Sequence, residues 1–244
     1  MVGAGRMGSR FFTTEALVIG SMRYREADRI ISLYTRDRGR LGAIARGVRR
    51  TKSKVGGRLE PYSLVRVSLH PGRGLYTILG VDSVRTFQGV REELFRMEEG
   101  AQLLRAVRHL FPQEEESVPA FNLLVRGVAR LAEAPDAAAA AGVVLAIRLK
   151  LLSLLGYTPE LSHCTACGGQ GPTYGFSPSL GGVVCEPCAA VESISCFAVS
   201  PGALATLHTL LETSLIEVER LELDQRATAE VEQVVAQTLA YHGH

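Results

Sequence analysis

Four cysteines arranged as two CxxC pairs constrain this chain of 244 residues more than any other feature of its sequence. Seventeen residues separate the pairs, which consist of Cys164, Cys167, Cys185 and Cys188. Two CxxC turns at this spacing let four thiolates converge on one cation, which is a common zinc-binding pattern. The protein would then fill all four coordination positions, so we expect one structural Zn²⁺ ion and no catalytic metal.

Other uses of the cysteines stay open at this point. Four thiolates can also hold an iron–sulfur cluster, whereas disulfides are disfavoured because no signal peptide is visible. The fifth cysteine, Cys196, is expected to be a small packing residue and not a ligand. His163 could replace one of the ligands, but a complete set of four cysteines makes that unnecessary.

Positive charge is concentrated at the beginning of the chain. Residues 1–85 carry 17 Arg or Lys against 6 Asp or Glu, a net charge of +11, whereas residues 86–244 carry 10 against 19, a net charge of −9. Such an asymmetry points to nucleic acid or a membrane as the partner of the basic part. Nine basic residues fall within 23 positions, and we expect them to contact the phosphates of a nucleic acid: Arg36, Arg38, Arg40, Arg46, Arg49, Arg50, Lys52, Lys54 and Arg58.

The basic part also has the sequence pattern of a small barrel. Apolar or alternating segments between glycine-containing turns predict five strands, near residues 15–19, 29–35, 41–46, 64–70 and 75–79. Five strands with no long helix between them favour an antiparallel barrel. The OB-fold is our first interpretation, and an SH3-like barrel is the competing one. The tyrosines in this region are more simply explained as core residues than as groups that stack on bases.

After Phe87 the apolar residues recur every three or four positions, which predicts helices. We expect helices near residues 90–111, 121–131, 137–155, 200–211 and 224–241. The segment that contains the cysteines should be irregular and inserted between these helices. The predicted architecture is an α+β multidomain protein with an OB-fold barrel, an α-helical bundle and an inserted zinc-finger module. Its parts are residues 1–86, 87–160 with 198–244, and 161–197, respectively.

The sequence contains no motif that predicts an enzyme or a membrane protein. It has no Walker A loop, HExxH or GxSxG motif, and neither a signal peptide nor an apolar run of about 18 residues. We therefore expect a cytoplasmic, non-catalytic protein that binds nucleic acid. Two alternatives are an RNA- or ribosome-associated protein with a zinc ribbon and a zinc-dependent enzyme, the second disfavoured by the closed four-thiolate shell.

Several segments of the basic part together resemble the bacterial RecO recombination-mediator family. They are residues 16–19, 26–30, 35–50, 52–54 and 59–62. The helical middle of the chain and the CxxC module follow in the order found in that family. The resemblance implies an N-terminal OB-fold, a helical domain and a four-cysteine zinc finger.

The same resemblance implies a role in DNA repair. A member of this family binds single- and double-stranded DNA, anneals complementary strands, partners RecR and helps load RecA onto strands coated by single-strand-binding protein. Its helical domain holds a pocket for the acidic C-terminal tail of that coating protein, a pocket to which the sequence assigns no residue. DNA binding would map onto the basic residues inside the matching segments, namely Arg38, Arg40, Arg46, Arg49, Arg50, Lys52 and Lys54.

Overall fold

The computed structural model describes residues 11–49, 55–112 and 114–242, which divide into two compact units. The first unit contains the described residues up to Gln88 together with Phe111–Val125. The second contains Gly89–Leu110 and the residues from Arg126 onward. The segment Phe111–Val125, which falls within the region expected to be helical, is thus grouped with the barrel.

Five strands of the first unit form a closed barrel with the neighbour order β1-β2-β3-β5-β4. They are β1 (Phe12–Tyr24), β2 (Asp28–Thr35), β3 (Gly39–Ala45), β4 (Ser63–His70) and β5 (Tyr76–Thr86). Strands β3 and β5 pair in parallel over two residue pairs, and the other described pairings are antiparallel. This five-stranded closed barrel is OB-like, which confirms the predicted fold.

The barrel is filled by alternate residues of its strands. In β3 the burial alternates strictly between buried and partly exposed positions, as a two-residue period requires. Val48 and Leu59, from the connection between β3 and β4, complete this core. A short 3₁₀ helix at Gly56–Leu59 brings Leu59 into position.

Seven helices are described, most of them in the second unit. They are α1 (Leu94–Leu110), α2 (Val118–Glu133), α3 (Ala137–Leu154), α4 (Glu186–Ala189), α5 (Pro201–Glu212), α6 (Leu215–Val218) and α7 (Gln225–His242). Two of the predicted starts have capping side chains, because Asp136 accepts a hydrogen bond from the Ala139 N–H and Ser200 accepts one from the Ala203 N–H. Helix α3 is central, with α1, α5, α6 and α7 packed against it.

Helix α3 is also long and apolar enough, judged by length and composition alone, to cross a membrane. Arg148 and Lys150 lie within it, so the sequence contains no uninterrupted apolar run of about 18 residues there. About two-thirds of the helix (67%) is buried inside the structure. Burial of this kind is what the core helix of a helical bundle shows, because apolar residues surround it on all sides.

The cysteine-containing segment is more regular than predicted. Strands β6 (Thr173–Ser177), β7 (Gly182–Cys185) and β8 (Phe197–Ala198) form a three-stranded sheet with β6 in the centre. A Cβ atom at Gly175 would overlap the Phe197 carbonyl group, so glycine allows β6 and β8 to approach each other. The expectation of an irregular segment is wrong because strands this short do not display a readable two-residue period.

Candidate metal centre and nucleic-acid interface

The four CxxC cysteines converge on one point in the second unit. Their Sγ atoms all lie within 4.8 Å of one another, and the Sγ atoms of Cys167 and Cys185 are 3.8 Å apart. Four sulfurs about 2.3 Å from a tetrahedral Zn²⁺ would be separated by about 3.8 Å. The donor set therefore fits a single ion, whereas a cluster of several metal atoms would hold the sulfurs further apart.

Short backbone turns present the two cysteine pairs. In the first pair, the Gly168 N–H donates to the Cys164 carbonyl at 2.8 Å, and Gly168 has a left-handed φ of +72° that favours glycine. The second pair joins the end of β7 to α4. The Cys185 N–H donates to Cys164 Sγ at 3.4 Å, and this bond is the largest of several hydrogen bonds that lower the pKa of the Cys164 thiol to about 6. Metal binding requires the thiolate form, which the hydrogen bond favours.

Two neighbouring side chains that could have been ligands lie outside the cluster. Cys196 packs against it but is not part of the group of candidate ligands found in the described residues. The exposed His163 places Nδ1 3.3 Å from Oε1 of Glu160. The four thiolates are thus the set that can hold a metal here.

The nine basic residues predicted to contact DNA do not form one patch among the residues described. Arg36 and Arg38 lie in the turn between β2 and β3, whereas Arg46 and Arg49 follow the far end of β3. A strand of seven residues at about 3.3 Å per residue separates the two pairs by roughly 20 Å. All four side chains are exposed.

The other five predicted residues differ from these four. Arg50, Lys52 and Lys54 lie outside the described residues. The half-buried Arg40 and Arg58 instead donate to main-chain carbonyls of the first unit. Arg40 Nε donates to Phe111 at 3.0 Å and Arg58 Nη1 donates to Val81 at 2.7 Å. In the described part of the barrel, β5 pairs with β3 at residues 76 and 77, and Arg58 supplies a donor to β5 beyond these pairs.

Strand pairing adds arginines that the dense run in the sequence did not reveal. The exposed Arg23 pairs with Arg29, which in turn pairs with Ala45 beside Arg46. Arg49 also reaches this region, where its Nη1 donates to the Glu26 carbonyl at 2.8 Å. Only the register of β1, β2 and β3 brings these residues together, so one-dimensional spacing could not show it.

A second arginine also joins Arg36 at the opposite end of the barrel. Arg66 on β4 lies directly across from Glu15 on β1. The Glu15 carboxylate is 3.3 Å from Arg66 Nη2 and 3.6 Å from Arg36 Nη1. Both arginines are more than half exposed, with side-chain accessibilities of 53% and 59%, so a phosphate could reach them. Each exposed ion pair contributes little to stability.

The second unit contains a cleft of about 540 Å³ with basic and apolar walls, formed by residues of α1, α3 and α7. Its lining includes Arg105, Arg148 and Leu239. Arg148 is only 5% exposed, and its Nη1 lies 2.6 and 2.8 Å from the carboxylate oxygens of Glu232. Its buried Nε has no hydrogen-bond partner among the described residues, which is costly for a buried donor.

Comparisons with known proteins cover nearly the whole chain. The family model "Recombination protein O N terminal" matches residues 7–87, and "Recombination protein O C terminal" matches residues 91–243. The DNA repair protein RecO of Rubrobacter xylanophilus is 39% identical over 209 residues, which cover 84% of this chain and 83% of that protein. The DNA repair protein RecO of a Nocardioides species is 36% identical over 237 residues, covering 95% and 94%.

Proposed function

The chain belongs to the RecO family, and we propose that it is a non-catalytic mediator that binds single- and double-stranded DNA and anneals complementary strands. Membership of the family supports a function in DNA repair and recombination. The single observation that carries the proposal is an OB-like barrel built from the part of the chain with a net charge of +11. OB-like barrels bind oligonucleotides, and a positive field attracts phosphate backbones.

Annealing by such a protein needs no covalent chemistry. Two strands of like charge must approach with their bases exposed, so the protein has to screen phosphate repulsion. The exposed Arg23, Arg46 and Arg49 supply this positive charge at one end of the barrel, and Arg36 and Arg66 supply it at the other. Binding of this kind is insensitive to sequence and weakens as the salt concentration rises.

The four cysteines would hold one Zn²⁺ ion as a structural element. Bound zinc would supply folding free energy and no reactive position, because the protein fills its tetrahedral shell. The ion would fix the segment between the helices, residues 161–197, which contains β6, β7 and the first residue of β8. In this scheme the zinc module supports the DNA-binding protein and takes no part in a reaction.

The proposed mediator acts in the bacterial cytoplasm with RecR, and it helps load RecA onto strands coated by single-strand-binding protein. The acidic C-terminal tail of that coating protein would dock in the cleft that contains Arg105 and Arg148. The second unit lies in the acidic part of the chain, so the tail needs local positive charge and apolar contacts. The cleft offers both, with Leu239 among its apolar lining residues.

The test of DNA binding is the salt dependence of affinity for single-stranded DNA. Replacing Arg46 and Arg49 together with Ala should reduce the slope of log K against log salt by up to about 1.4 units if both contact phosphates. The matched control, Arg220→Ala with Arg226→Ala, removes the same charge from exposed positions of the second unit. An unchanged slope in the first variant would place the interface elsewhere.

Annealing assays separate the proposed function from its main competitor. The protein should accelerate annealing of complementary strands coated by single-strand-binding protein, and addition of RecR should alter that rate. An RNA- or ribosome-associated protein would instead bind structured RNA more tightly than single-stranded DNA at equal salt.

Arg105→Ala should weaken binding of the acidic tail peptide roughly tenfold, since hydrogen bonds to charged groups contribute about 1.5–3 kcal/mol. Arg220→Ala is the control.

A further inference from the structure

Three consecutive glutamates, Glu114, Glu115 and Glu116, lie against the turn between β2 and β3 within the first unit, and we call them the acidic segment. Its backbone is tied to the barrel from both sides. The Glu114 N–H donates to the Arg40 carbonyl at 3.1 Å, and Arg40 Nε donates back to the Phe111 carbonyl at 3.0 Å. The Tyr76 hydroxyl donates to Glu114 Oε1 at 3.0 Å. Main chain and side chain together hold the segment in place.

The barrel surface is shaped to receive this segment. Gly39 has a left-handed φ of +60°, and a Cβ atom there would overlap the backbone of Glu115. Only glycine meets both requirements. Nearby, the ring of Phe111 packs edge-on against the buried Tyr34 of β2, with ring centroids 5.3 Å apart. The acidic segment is therefore docked on the barrel by several separate contacts.

The docked carboxylates face an arginine that is predicted to bind DNA. A cleft of about 390 Å³ is lined by Asp37, Arg38, Tyr76, Glu114 and Glu116. The Arg38 guanidinium carbon lies 4.1 Å from the centroid of the Phe12 ring, a cation–π contact that holds the guanidinium on the barrel surface. Burial raises the pKa of the Tyr76 hydroxyl, Glu114 raises it further, and Arg38 opposes both. The Glu114 carboxylate and the Arg38 guanidinium thus both lie close enough to the Tyr76 hydroxyl to affect its pKa.

We propose that the acidic segment is an autoinhibitory contact, in which its carboxylates compete with DNA phosphates for Arg38. This inference rests on the proposed function, because it presumes that the barrel binds DNA. Charges in one cleft interact well within the screening length of about 8 Å at physiological salt. Bound phosphate must therefore overcome repulsion from the segment, so DNA is held less tightly at this end of the barrel. Weaker holding lets strands exchange, as annealing requires.

The first test neutralises the segment. Glu114→Gln, Glu115→Gln and Glu116→Gln together should tighten binding of single-stranded DNA roughly three- to tenfold at low salt, and the gain should shrink as salt screens it. The matched control carries Glu98→Gln, Glu192→Gln and Glu222→Gln, which remove equal charge from exposed or partly exposed positions of the second unit. An equal gain in both triple variants would overturn the proposal, because the effect would then reflect net charge alone.

The second test asks whether the gain depends on Arg38. Combining the neutralised segment with Arg38→Ala should abolish most of the gain, because the competing site is then absent. A gain of unchanged size in that background would also overturn the proposal. Glu116→Gln alone, which leaves the Glu114 and Gly39 contacts intact, should give a smaller gain of the same kind and guards against misfolding of the triple variant. If the unaltered protein binds no DNA at all, the proposed function itself fails, whereas tight binding with no effect of the segment refutes only this inference.

Discussion

The barrel and the cysteine module both contain antiparallel strands, but they are held together in different ways. The described barrel core is a cluster of 13 buried residues, including Ile31, Leu33, Val67 and Leu69. The hydrophobic cluster of the cysteine module has three buried residues, and two of them, Cys164 and Cys185, are themselves candidate ligands. Apolar burial contributes about 25 cal/mol per Å², so only the barrel has a core large enough to stabilise its fold.

This difference shows what a four-cysteine site adds to a short segment. Segments below about 40 residues rarely bury enough surface to fold alone and need disulfides, metals or other cross-links. The strands of the module have two to five residues, whereas those of the barrel have seven to thirteen. We therefore expect the module to depend on its metal and the barrel to be independent of it.

Metal removal should give the largest effect. Chelation, or Cys164→Ser combined with Cys185→Ser, should unfold residues 161–197 locally, because structural zinc contributes folding free energy directly. Hydrogen exchange followed by mass spectrometry should show that amide protection is lost there and retained in β1–β5. Metal content measured on the same samples should fall to zero in the variant. Full amide protection of residues 161–197 without bound metal would show that the module does not depend on its metal.

The converse change should destabilise the barrel and leave the metal in place. Leu33 is fully buried, and Leu33→Ala should cost about 2–5 kcal/mol of unfolding free energy because it creates a cavity in the core. Chemical denaturation measures this loss, and metal content should stay at one ion per chain. The control is Leu79→Ala on β5, where the side chain is 57% exposed and the expected change is within about 0.5 kcal/mol. Loss of metal from Leu33→Ala would mean that the two regions fold together.

Local periodicity was enough to predict the barrel and the long helices. Strand β4 alternates apolar and polar residues, the other barrel strands are apolar segments between glycine-containing turns, and α3 and α5 begin where a capping side chain precedes an apolar run. The CxxC spacing likewise predicted which thiols converge, since a tight turn brings each pair together whatever the rest of the fold. The short strands β6 and β8 showed no period and could be found only in the structure.

The distribution of basic residues could not be predicted in the same way. The basic residues form one dense run in the sequence, but β3 passes through its middle and separates Arg38 from Arg46. Arg66 and the acidic segment reach the turn at Arg36 and Arg38 through pairings of residues far apart in the chain. Charge counted along the sequence therefore overestimated the positive field at that end of the barrel, because long-range contacts bring carboxylates into it.

Cys196 provides a sharper test of which cysteines matter to the module. It packs against the buried residue cluster that contains Cys164 and Cys185, but it is not one of the candidate ligands found in the described residues. Cys196→Ala should therefore cost about 1 kcal/mol or less, as expected for loss of a small, partly buried apolar group, and metal content should be unchanged. Thermal unfolding with metal analysis measures both. Loss of the ion from this variant would add Cys196 to the ligand set and enlarge the part of the module that metal stabilises.

The smallest effect is expected where the module joins the helices, because a charge and not a metal fixes that junction. The Ser200 N–H, at the start of α5, donates to Glu230 Oε2 on α7 at 2.7 Å, and this bond is the main cause of the lowered pKa of Glu230. A carboxylate with a lowered folded pKa stabilises the protein above its ordinary value of 4.5, and the contribution is lost as the pH falls through the folded value. Glu230→Gln should therefore lower Tm by at most about 2 °C at pH 7, and the difference from the unaltered protein should vanish in acid. Calorimetry across this range, with Glu222→Gln on an exposed site as the control, measures it. A difference that persists in acid would show that the Glu230 side chain acts through packing and not through its charge.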